Sequence, residues 1–123
     1  MLPQDHQPAQ VFDIHELEQR RATSGVDYLQ FLNEPSMRLG VCTLAVGAED
    51  QQQPHEEDEV YYVVSGQGTL RVGREEHPVQ PGSIVFVAAR MPHKFHSIKE
   101  ALELLVFSLR TVRFLPDLRH YWV

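Results

Sequence analysis

Between Val26 and Leu109, short β-branched or aromatic runs alternate with turn residues every eight to twelve positions. No amphipathic stretch of helical length interrupts the series. That rhythm is the signature of an antiparallel sandwich or barrel, in which each break rich in Gly or Pro reverses the chain. A parallel βαβ arrangement needs a crossover helix between strands and is excluded. The fold class expected is therefore all-β, with strands at 26–32, 38–46, 52–55, 59–65, 68–72, 77–79, 84–87, 93–98 and 102–109.

The flanks read differently. Asp13-Ile14-His15-Glu16 has the form of a helix start, an acidic cap followed by Glu at the third helical position, and predicts a short helix to about residue 21. A chain of 123 residues supports a single core. The expected organisation is an N-terminal arm and helix over 1–25, a barrel over 26–110, and an apolar tail over 111–123. The tail carries Phe114, Leu115, Leu118, Tyr121 and Trp122, which calls for burial on the barrel or in a second subunit.

Charge narrows the partners. Asp and Glu number 17 against 11 Lys and Arg, a net charge of −6. An acidic surface repels phosphate backbones and anionic headgroups, so neither nucleic acid nor membrane is an expected partner. No apolar run approaches the roughly 20 residues needed to span a bilayer. The start, Met1-Leu2-Pro3-Gln4, lacks a leader's basic and apolar regions, and the expected location is cytoplasmic. Cys42 is the only cysteine, which excludes an internal disulfide. It reads as a small buried hydrophobe, because nothing beside it in sequence would stabilise a thiolate.

Two segments carry the chemistry. The first is Gly47, five residues, Gln53-Pro54-His55, three residues, Glu59, six residues and Gly66. The second runs from Pro81-Gly82 to Met91-Pro92-His93, with Ser97 four positions on. Together they resemble the two characteristic motifs of the cupins, with Gln53 where the first motif usually has a histidine. The second match is looser, since Ala88 and Arg90 stand at its usual Pro and Gly. The resemblance implies a jelly-roll barrel (a double-stranded β-helix) holding one divalent metal ion. It places His55, Glu59 and His93 at ligand positions, with Gln53 as a further ligand or as a group orienting water or substrate. Iron, manganese, nickel, zinc and cobalt all suit two imidazoles and a carboxylate, and the set matches the facial triad of non-haem iron oxygenases.

Strand alternation extends the site. If Glu59 points inward, Tyr61 and Val63 follow it, and Phe95 follows His93. With Phe86 and Met91 at the mouth these would form a mostly apolar pocket for a small organic molecule. Glu59 and Tyr61 are the candidate catalytic residues. Three functions stay open: an oxygenase-type enzyme; a metal-dependent isomerase, lyase or epimerase moving protons; and a non-catalytic small-ligand binder. The unpaired edges of an open barrel and the apolar tail point to a homodimer.

Overall fold

In a computed structural model, residues 8–50 and 54–110 are described. One helix, α1 (Ile14–Ser24), precedes six strands: β1 (Tyr28–Asn33), β2 (Met37–Leu44), β3 (Asp58–Val72), β4 (Glu75–Val79), β5 (Ile84–Val87) and β6 (His93–Leu109). The Asp13 carboxylate accepts from the amides of His15 and Glu16, filling two of the donors that a helix start leaves open. Gly25 closes the helix in the left-handed region at φ 73°, so that its last residue, Ser24, lies three beyond the expected end. Helix α1 buries Leu17 and packs against β1 and β2. None of the described helices is long and apolar enough to cross a membrane.

All pairings are antiparallel, in the order β1-β2-β6-β3-β4, with β5 pairing β3. The two long strands organise the jelly roll. Residues 58–63 of β3 pair with 104–109 of β6, and residues 69–72 pair with 93–96. The register shifts repeatedly between Val63 and Thr69. The sequence pattern predicts each long strand as two shorter ones, 59–65 with 68–72 and 93–98 with 102–109. The chain bends there without breaking. Gly66 adopts φ 96°, and a side chain on it would collide with the Ala101 carbonyl, so the two strands approach closely at the position expected to be a turn.

The expected strand over 52–55 is absent at Pro54 and His55, which lie in an irregular connection; Gln53 lies outside the described residues. The apolar tail lies outside them as well. Burial follows the two-residue period of the long strands: Glu59, Tyr61 and Val63 face in, as do Leu102, Leu104, Val106 and Ser108. Val63, Leu70, Val87, Phe95, Leu102 and Leu104 belong to one apolar cluster beneath the site.

Candidate metal centre

Three segments bring the site together. β3 supplies Glu59 and Tyr61 on one face, because residues two apart on a strand share a side. β6 starts at His93 and carries it against Glu59, its Nε2 3.2 Å from Glu59 Oε1. His55 comes from the connection before β3, its Nε2 3.9 Å from the same oxygen. No strand pairing aims His55. Its loop is held instead by Arg90 N–H donating to the His55 carbonyl and by Ala89 N–H donating to Asp58 Oδ1 at 2.8 Å. Glu57, two residues on, accepts a bidentate pair from Arg38 of β2, with Nε to Oε2 at 3.1 Å.

Donor atoms of His55, Glu59 and His93 all lie within 4.8 Å of one another. Two imidazoles and a carboxylate so close form a set that suits a small divalent ion. The tautomer of His93 fits the same use. Its Nδ1–H donates to the Met91 carbonyl at 2.8 Å, so a neutral ring presents the Nε2 lone pair to the cluster. Glu59 Oε2 accepts from the Ser108 hydroxyl at 3.4 Å, and Oε1 accepts from the Tyr61 phenol at 3.2 Å.

The electrostatics are those of a mutually held pair. Burial alone would push the Glu59 carboxyl up, but hydrogen bonding from His93 and the nearby His55 outweigh it, and the carboxyl is held below its usual range. His93 is raised above the usual imidazole value, chiefly by its hydrogen bond to Glu59, against the opposing effect of burial. Burial pushes the Cys42 thiol up to about 12, with Asp50 and Asp27 adding to it. A thiol held that high gains no thiolate character from its surroundings, which matches the reading of Cys42 as a buried hydrophobe.

Above the cluster opens a cavity of about 460 Å³ with His55 and Glu59 in its lining. Its walls are not those that alternation suggests. Phe86 and Met91 are 60% and 40% exposed, and Val63 and Phe95 are fully buried in the core; none of the four lines this cavity. Register explains Phe86: Glu59 pairs with Val87, so Val87 shares its inward face and Phe86 points out with its partner Val60. The walls come instead from Tyr28, Arg38, Cys42 and Leu44 on β1 and β2, and from Val106 and Ser108 on β6. Tyr28 occupies space that Gly40 leaves, since a side chain at Gly40 would collide with the phenol ring. Alternation along β2 was the signal available for these residues, because Arg38, Cys42 and Leu44 are separated by even steps. Of the remaining histidines, His96 turns away from the cavity and pairs with Glu76 at 2.6 Å.

The pattern of the Cupin domain family matches residues 40–108. An uncharacterized protein of Streptomyces coelicolor is 48% identical over 95 residues, 77% of this chain and 90% of the relative. Among solved structures, a protein of Thermus thermophilus superposes with TM-score 0.67 at 25% identity, covering 82% of this chain and 97% of that one. The DMSP lyase DddQ of Ruegeria pomeroyi superposes with TM-score 0.64 at 18% identity, covering 78% and 52% respectively. The likeness to the lyase is one of fold.

Proposed function

The chain belongs to the cupin domain family, and from that premise we propose that it is a metal-dependent enzyme acting on a small organic molecule held in the 460 Å³ cavity. One observation carries the reading: three donors of metal-ligating type converge within 4.8 Å, two of them lining that cavity. His55, Glu59 and His93 would hold one divalent ion, of iron, manganese, nickel, zinc or cobalt, with Gln53 as a further candidate. When bound, the ion supplies Lewis acidity and open coordination positions for substrate or dioxygen. In the finer reading the protein is an oxygenase-type cupin, because two imidazoles and one carboxylate form the facial set suited to non-haem iron.

The chain's own residues have definable tasks. Met91 fixes the His93 tautomer through its carbonyl, and Ser108 orients the Glu59 carboxylate. Leu44 and Val106 give the cavity apolar wall, which keeps a bound molecule partly dry, while Tyr28 offers a phenol to its polar end. A proton-transfer reaction, isomerase or lyase, is the second reading. The chain of contacts from Ser108 through Glu59 and Tyr61 to His93 favours it, because a buried acid–base network that reaches the cavity can move protons.

The protein is further read as a homodimer. Tyr62 pairs with Ile84 and Val60 with Phe86, so the outer face of β3 and β5 presents adjoining apolar side chains.

Elemental analysis of protein purified without added metal, paired with oxygen uptake across small acids, thiols and phenols, tests the function. Stoichiometric metal with substrate-dependent oxygen uptake supports the oxygenase reading. Deuterium exchange from solvent into substrate without uptake supports proton transfer. Protein that takes up no metal at all overturns both.

A further inference from the structure

Three buried atoms, one of them on Glu59 of the cavity lining, form a nearly equilateral triangle. Tyr61 Oη lies 3.0 Å from His93 Nε2 and 3.2 Å from Glu59 Oε1, and those two atoms are 3.2 Å apart. Such edges are what neighbouring donors around one small divalent ion require. Bonds of about 2.1 Å put adjacent donors about 3.0 Å apart in an octahedron and about 3.4 Å apart in a tetrahedron. The corresponding edge from His55 Nε2 to Glu59 Oε1 is longer, at 3.9 Å. By distance the phenol belongs to the cluster at least as closely as His55 does.

From this triangle we propose that Tyr61 is a fourth protein ligand, completing a set of two nitrogens and two oxygens with His55, His93 and Glu59. The inference rests on the metal-centre reading given above. The phenol is fixed where ligation needs it. Tyr61 is 1% exposed, and its ring meets Phe95 edge-on at 5.1 Å and 90°. On ligation the phenolic O–H bond breaks, the proton passes to bulk water, and the phenolate oxygen takes a position that a water would otherwise fill. Two anionic oxygens then balance the charge of a divalent ion, and an octahedral centre keeps two positions for exogenous ligands. The dry surroundings favour this neutral sum, since an uncompensated buried charge is costly.

The competing account is a phenol that only hydrogen-bonds to Glu59, which would give the same distances without ligation. Affinity does not separate the two, because removing a group that merely supports a ligand already costs about 10–100-fold. A spectrum does. Copper(II) is titrated into the full chain, and the visible phenolate-to-metal charge-transfer band is recorded with its resonance-enhanced ring vibrations. Wild-type protein is expected to develop the band at one equivalent, and Tyr61→Phe to bind copper without it. Replacing Tyr28, Tyr62 and Tyr121 together by Phe leaves Tyr61 as the sole tyrosine, and that variant should keep the band even if Tyr61→Phe fails to fold. Copper bound without a band in wild type overturns Tyr61 ligation and leaves a centre of His55, Glu59 and His93 standing. A band that survives Tyr61→Phe, or is lost from the triple variant, assigns it to another tyrosine and overturns the proposal as well. Failure to bind copper or zinc at all overturns the metal centre, and the fourth ligand with it.

Discussion

The metal-free and metal-loaded proteins should respond to pH in opposite directions. In the metal-free protein His93 and Glu59 stabilise each other's charged forms at 3.2 Å. Because His93 is raised in the fold, its contribution is complete below the unfolded imidazole value of about 6.5 and fades as pH climbs through the higher folded value. Glu59 is depressed, so its contribution is present above the unfolded carboxyl value of about 4.5 and fades as pH falls through the lower folded one. The pair therefore supports the metal-free fold best between about pH 4.5 and 6.5, and that support declines as pH rises above about 6.5. Metal reverses the trend, because both imidazoles must be neutral to donate. While both carry protons, affinity rises by up to about a hundredfold per pH unit, or about 2.7 kcal/mol of added stability at fixed excess metal. For a domain of this size that is roughly 10 °C of melting temperature per pH unit. Calorimetry at pH 5, 6, 7 and 8, with zinc and with chelator, measures both trends. A metal-free melting temperature that climbs steadily as pH rises above about 6.5 would refute the His93–Glu59 pairing. A metal-dependent increment unchanged between pH 5 and 7 would refute ligation by two histidines.

Substitutions separate metal from fold. His55→Ala should abolish stoichiometric metal at little cost in stability, since the side chain is 39% exposed; His93→Ala should abolish metal and also cost about 3 kcal/mol, because it leaves a buried carboxylate without its imidazole, as elemental analysis and urea unfolding would measure. Gln53→Ala is expected to weaken metal binding far less than either, and equal loss in a competition titration would make Gln53 a full ligand. Gly66→Ala should destabilise by about 2–5 kcal/mol, combining left-handed backbone strain with the collision at Ala101, and a urea midpoint near wild type would contradict the bend described for β3. Sedimentation is expected to show a dimer that Phe86→Glu dissociates; a wild-type monomer at all accessible concentrations would remove the homodimer reading.

What the sequence discloses depends on whether a feature is local. Period-two alternation needs only neighbouring residues, and by itself it puts Glu59, Tyr61 and Val63 on one face, the face that is buried. Facing inward is not the same as facing the cavity, however. Val63 and Phe95 point in and are consumed by the core, whereas Arg38 and Ser108, paired across β2 and β6, reach the open space. Which inward residues line a void follows from where strands pair, and pairing is a long-range property that alternation does not contain. Phe86 makes the same point, because its direction is fixed by the match of Glu59 with Val87 and a shift of one residue would turn it inward. Gly66 looks like turn chemistry in sequence, and only the approach of Ala101 reveals a bend in a continuous strand. His55 is the most instructive case. Its spacing to Glu59 is legible in sequence, but strand alternation is not what aims it; the carbonyl held by Arg90 and the tie between Arg38 and Glu57 do so from two distant segments. The site thus joins Glu59, Tyr61 and His93 on paired strands to His55 on a connection tethered from two other segments. That division is why the spacing of His55 is legible in sequence while its placement is not: the placement depends on Arg38 of β2 and Arg90 of the segment before β6.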